Sequence, residues 1–188
     1  MELPKLKRIL PVDVNRPKKK KILLLSDDLR LHSGVATMSR EIVFGTAHHY
    51  DWFQVAATIQ HPDHGKVFDL SNEVNKEIGI NHANVKVLGW SGYGNQNLVR
   101  ELIDKEKPDA IMIFTDPRFW DWLFEMENEV RQKVPIIYYN IWDATPTPFW
   151  NLSAYESCDA IMNISKQTHS IVKNTLQFGN IPFEDLYD

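Results

Sequence analysis

The residues best suited to chemistry stand where apolar runs stop. "KILLLSDD" ends an aliphatic run on Asp27 and Asp28, and Ser33 and Gly34 follow just before a helical pattern begins. Two adjacent carboxylates could bind a cation or orient a hydroxyl. A serine–glycine pair opening a helix reads in two ways. Ser33 is a good helix cap with no ligand at all, or the first helical N–H groups with an unobstructed Gly34 grip an anion such as a diphosphate. Later runs end alike: "DAIMIFT" on Asp116 and Arg118, "IIYYNI" on Trp142 and Asp143, "DAIMNIS" on Ser165 with Lys166 after it. Trp120 and Trp150 lie in aromatic stretches beside two of these points. Tryptophan offers a flat apolar platform with a polar edge, which suits sugar rings as well as protein partners.

Several chemistries lack their residues. The chain has no H-E-x-x-H, no D-x-D and no G-x-S-x-G, which are the spacings of a zinc protease, a metal-assisted transferase and a hydrolase nucleophile. A G-x-G-x-x-G fingerprint and a Walker lysine are also missing. His48 and His49 are adjacent, and His61 and His64 sit in a polar stretch without cysteine at ligand spacing. No metal is expected, and these histidines are expected to be solvated surface.

The elements that must position the candidates follow from hydrophobic period. Strands are expected at 21–26, 52–58, 84–90, 109–115, 136–141 and 159–165, and helices at 33–47, 97–107, 119–133 and 166–178. The runs at 21–26 and 109–115 are too uniformly apolar for a one-sided strand and imply cover on both faces. In the first helix Val35, Met38, Ile42 and Val43 share a face. In the third, Phe119, Leu123, Met126 and Val130 do, so Trp120 and Trp122 cannot both join the core. Alternating strands and helices predict an α/β fold, a Rossmann-like parallel sheet with helices on both faces. In such sheets ligands bind beyond the carboxyl ends of the strands, where all the candidates above lie.

The 188 residues carry a net charge of −4, unevenly spread. Residues 1–21 hold eight Lys/Arg against Glu2 and Asp13, a net of +6, leaving −10 for the rest. Residues 1–20 are expected to be a basic flexible leader, with weak contact to anionic membrane as its one reach beyond the body. An acidic body argues against nucleic acid. With one cysteine, Cys158, no span of ~18 apolar residues and no signal-like apolar stretch, a cytoplasmic location is expected.

Four stretches in order, "KILLLSDDLRLHSGVATMSREI", "KPDAIMIFTDP", "VPIIYYNIWD" and "CDAIMNISKQTHSIVKN", resemble the N-terminal half of GT-B glycosyltransferases of the retaining, glycogen-synthase-like superfamily (glycosyl transferase group 1). The resemblance covers about residues 20–178. It implies that 21–178 form the acceptor-side Rossmann-like domain, one half of a GT-B architecture, with 179–188 a tail leading to an absent second domain. It further implies a nucleotide-sugar donor held mainly by a C-terminal Rossmann half, an unknown acceptor, no metal and little activity from this half alone. Gly34, with Ser33, matches the loop closing on the donor phosphates, Asp143 the acidic catalytic position beside the sugar, and Ser165 the serine ending the later strand. Asp27, Asp28, Asp116, Arg118, Trp120, Trp142, Trp150 and Lys166 are the further cleft candidates. Trp142 stands where many members have histidine, and one glycine stands where many have two. A sugar-nucleotide epimerase and a non-enzymatic binding module with an aromatic rim are the alternative readings.

Overall fold

The computed structural model describes residues 18–180. The expected leader, apart from its last three residues, and the tail beyond Asn180 lie outside the described residues. Lys19 and Lys20, placed in the leader by the sequence, belong to the body. The Lys19 ammonium donates to the carbonyls of Ala47 (3.1 Å) and His82 (2.8 Å) and pairs with Asp51, and Lys20 opens the first strand.

Among the described residues seven strands form one sheet: β1 (Lys20–Asp27), β2 (Tyr50–Thr58), β3 (Val67–Asp69), β4 (Val85–Ser91), β5 (Ala110–Phe114), β6 (Ile136–Asn140) and β7 (Ala160–Asn163). Their spatial order is β3-β4-β2-β1-β5-β6-β7, and every pairing is parallel except the short edge strand β3 against β4. Without β3 the order is the 3-2-1-4-5-6 arrangement of the doubly wound Rossmann sheet. The winding reverses between β1 and β5, paired with Leu23 opposite Ile111 and Ser26 opposite Phe114. The fold is α/β and Rossmann-like.

Strand composition explains the layers. Leu23 and Leu25 of β1 face one core with Val55, Ile111, Ile113 and Tyr138, while Leu24 faces the other with Trp52, Val87 and Met112. The first core is closed by α3 (Gln96–Glu106), α4 (Asp121–Phe124), α5 (Glu127–Arg131), α6 (Leu152–Glu156) and α7 (Lys166–Phe178). The second is closed by α1 (Gly34–Thr46) and α2 (Ser71–Ile78). Beyond α1 this second face opens into an apolar cavity of about 670 Å³, bounded by Ile22, Ile42, Met112, Ile137, Tyr139 and Met162.

Three expectations are corrected. The polar stretch after β2 holds β3 and α2, neither anticipated, because α2 buries only Val74. Helix α1 presents Ala36, Ser39, Val43 and Phe44 to the sheet, leaving Met38 exposed. Small residues let α1 approach closely, and the hydroxyls of Ser39 and Ser26 meet at 2.5 Å. Residues 119–133 are not one helix but a 3₁₀ turn (Pro117–Trp120) followed by α4 and α5. A 3₁₀ turn advances 120° per residue rather than 100°, so Trp120 takes the core position and Phe119 the surface. Trp120 is wholly buried, which removes it from the cleft.

Candidate functional site

Asp27 and Asp28 end β1 side by side but face different partners. Asp28 is 2% exposed. Its carboxylate takes a two-pronged bond from the Arg30 guanidinium (3.0 and 2.7 Å), one from the Arg30 backbone N–H (2.9 Å) and one from His61 Nε2 (3.0 Å). Burial alone would raise its proton affinity. The Arg30 and His61 hydrogen bonds outweigh it and hold the carboxyl below the ordinary value. His61 Nδ1 accepts the backbone N–H of Asp63 at 3.0 Å, which leaves Nε2 as the protonated nitrogen donating to Asp28. The ring occupies space that only glycine leaves open. A Cβ on Gly89 of β4 would lie 2.6 Å from His61 Cε1 and 2.6 Å from the Asp63 carbonyl oxygen. His61 is thus buried rather than solvated, and Asp28 is committed to tying the β2–β3 connection to the end of β1. His64 is exposed, as expected, and there accepts the Ser91 N–H and packs on Trp90 at 4.4 Å.

Asp27 is the freer carboxylate. Half-buried, it accepts two long hydrogen bonds, from Ser33 Oγ and from the Tyr93 hydroxyl, each 3.3 Å. Desolvation dominates these bonds and raises its proton affinity. Tyr93 was missed by sequence reasoning. It sits between Gly92 (φ +75°) and Gly94 (φ +86°), a left-handed pair that turns the chain back so that the phenol reaches β1. Burial, then the charge of Asp27, pushes the phenol up to about 12. Its ring stacks on exposed Phe119 at 4.0 Å and meets Trp120 edge-on. The Gly-Tyr-Gly spacing was the one signal in the sequence that could have found it.

Ser33 caps α1, its Oγ accepting the Ala36 N–H at 3.0 Å. Gly34 adopts no left-handed conformation, and a Cβ there would meet nothing within 4 Å. Neither backbone nor packing requires glycine, and the space before the first turn of α1 is open. This turn provides unpaired N–H groups and the positive end of the helix dipole.

After β5, Asp116 caps the 3₁₀ turn through the Arg118 N–H (3.0 Å), and the Arg118 guanidinium returns to the same carboxylate at 2.9 Å. Burial pushes Asp116 up, but these bonds bring it below the ordinary value. Arg118 also lies over the Trp142 ring, 5.4 Å from its centroid. After β6, Asn140 accepts the Trp142 backbone N–H and the indole N–H donates to Ala144 O at 3.1 Å, fixing the ring. Trp150 meets it at 6.1 Å and 73°. Asp143 is exposed, and its carbonyl accepts Gln167 Nε2 of α7. Ser165 caps α7 through the Thr168 N–H, with Lys166 exposed beside it.

The structure therefore joins Asp27, Ser33 and Tyr93 into one group, and Asp116, Arg118, Trp142 and Trp150 into another. The first belongs to the end of β1 and the second to the ends of β5 and β6, either side of the reversal in winding. Asp28 and Trp120 stand apart, one locked and one in the core. Among the described residues no cluster of three or more His, Cys, Asp or Glu is arranged to hold a metal, and no helix is long and apolar enough to cross a membrane. A scan against protein-family models finds no match, and a search of curated proteins finds none that is similar.

Proposed function

We propose that this chain is the acceptor-side half of a nucleotide-sugar-dependent GT-B glycosyltransferase, with the donor held mainly by a C-terminal Rossmann half. The observation that carries the reading is Gly34. It opens α1 at the reversal of strand winding, although neither its conformation nor its neighbours demand a glycine. Close approach of a ligand is the remaining reason for glycine there. The strands within the four stretches that resemble the family, β1, β5, β6 and β7, also all end at this edge of the sheet.

In glycosyl transfer an acceptor hydroxyl attacks the anomeric carbon while the bond from that carbon to the nucleoside diphosphate breaks. Positive charge develops on the sugar and negative charge on the departing diphosphate. The N–H groups and dipole of α1 are placed to stabilise the latter. Asp27, with raised proton affinity and two hydroxyl groups around it, is suited to hold the proton released as the new bond forms. Asp143 takes the acidic position beside the sugar that the resemblance assigns.

The test is to supply the full chain with the C-terminal Rossmann half of a group 1 glycosyltransferase and follow nucleoside diphosphate release from a panel of nucleotide sugars with mixed acceptors. Release only when both halves and an acceptor are present is expected. Sugar-nucleotide isomerisation without acceptor would mark an epimerase instead. No turnover of any nucleotide sugar, with both halves folded, would overturn the proposal.

A further inference from the structure

Trp142 and Trp150 form a corner rather than a slot, and that shape bears on the acceptor. We infer that this corner is a saccharide subsite and that the acceptor is a sugar; the inference rests on the proposed transferase reading for its role, though not for its binding. The Trp142 ring is held in place: its indole N–H is bonded to Ala144 O, its backbone N–H to Asn140, and its ring is flanked by Arg118. Trp150 is 62% exposed and meets Trp142 at 73°. The exposed Trp150 ring and the Trp142 ring, one side of which carries Arg118, stand near a right angle and fit a puckered pyranose, whose C–H groups project from its faces. A flat nucleobase would be better served by one parallel face or a pair of them.

The polar neighbours favour hydroxyl donors. The exposed carboxylate of Asp143 follows Trp142 directly, and a carboxylate accepts two hydrogen bonds side by side. Arg118, the cation at the corner, is already paired with Asp116 at 2.9 Å through Nε and again through Nη2. The corner thus presents aromatic faces with a carboxylate residue next in sequence, and the Arg118 guanidinium beside it is paired with Asp116, a composition that disfavours phosphate and suits a neutral sugar. A platform fixed before binding loses little entropy when the ligand arrives.

The experiment uses the full chain with three neutral trisaccharides, maltotriose, cellotriose and chitotriose, read by tryptophan fluorescence and by saturation transfer from protein to sugar protons. Trp150→Ala and Trp150→Leu are expected to weaken the best-bound trisaccharide by about tenfold, equivalent to about 1.4 kcal/mol, with Trp150→Phe close to wild type. Trp150 is exposed and makes no side-chain hydrogen bond among the described residues, so all three variants are expected to melt with the wild type. Equal loss in the Leu and Phe variants would overturn stacking as the cause, and no saccharide binding by the wild type would overturn the subsite. In the two-half enzyme, transfer that Trp150→Ala leaves unchanged in KM refutes the subsite while the transferase reading stands. Saccharide binding that depends on Trp150, without transfer, supports the subsite while the transferase reading falls.

Discussion

His61→Ala tests whether the buried polar cluster locks the carboxyl edge of the sheet. The variant removes the Nε2–H bond to the Asp28 carboxylate, 3.0 Å long between groups whose side chains are each 3% exposed. A hydrogen bond to a charged group contributes about 1.5–3 kcal/mol. The variant also frees the Asp63 N–H, which is partly exposed and recovers water at little cost. It empties the space the ring fills against Gly89 as well. Asp28 keeps Arg30, so the carboxylate is not stranded. The expected loss is about 2–4 kcal/mol. For a chain of this size that lowers the melting temperature by about 5–15 °C.

Gly89→Ala attacks the same contact from the other side. Its Cβ would lie 2.6 Å from a ring carbon of His61 and 2.6 Å from a backbone oxygen, neither the far end of a flexible chain. It is expected to cost about 1–3 kcal/mol. In the His61→Ala background the ring is gone and only the Asp63 oxygen remains close. The double variant should then fall short of the sum by about 1–2 kcal/mol. Urea unfolding of the four proteins at neutral pH, followed by circular dichroism, measures the cycle. A His61→Ala protein within about 0.5 kcal/mol of wild type, or strict additivity, would refute the lock.

Three further outcomes are expected. Gly34→Ala should fold with unchanged or slightly higher stability, within about 1 kcal/mol, because its Cβ meets nothing; nucleotide-sugar turnover by the two-half enzyme should nevertheless fall, and a fully active, stable variant would remove Gly34 from the donor site. Trp120→Ala should lose about 3–5 kcal/mol in thermal or urea unfolding, whereas Trp120→Phe should lose markedly less, since it also removes a buried indole N–H with no partner among the described residues. The two aspartates should respond oppositely to pH in thermal melts. Asp28, with its folded-state proton affinity depressed, contributes stability that is complete above the ordinary value of 3.8 and is lost as pH falls through the lower folded value. Asp28→Asn should therefore melt lower at neutral pH and lose that part of the acid dependence. Asp27, with its affinity raised, opposes folding once pH rises through its folded value, so Asp27→Asn should melt higher than wild type at neutral pH and converge with it below 3.8.

Most of the sheet was legible because its information is local. β1 and β5 are apolar at every central position, which only a strand covered on both faces tolerates, and the expected final helix at 166–178 is observed as Lys166–Phe178 because Ser165 caps it and the period is unbroken. What was missed depends on distance or phase. α2 holds one buried side chain, too few to set a period. Trp120 and Phe119 exchanged places because a single 3₁₀ turn, set by Asp116 and Pro117, changed the phase at its own start, while Leu123, Met126 and Val130 take the core positions their spacing predicts. His61 meets an aspartate 33 residues earlier through a gap made by a glycine 28 residues later, and nothing near His61 in sequence marks that.

The adjacent aspartates show most clearly why residue type alone could not divide the site. Both end the same strand, and neither the sequence around them nor their spacing distinguishes one from the other. The pleat separates them, since neighbouring residues of a strand point to opposite sides. One side meets Arg30 and His61 and takes enough hydrogen bonds to stay charged although buried. The other meets two hydroxyls at 3.3 Å and loses water without full compensation. Environments that drive two carboxylates apart in proton affinity also divide their work. The satisfied group, Asp28, holds the edge of the sheet still. The under-satisfied one, Asp27, carries a cost to stability that packing does not explain, and that is why the proposed transfer gives it, rather than Asp28, the proton to hold.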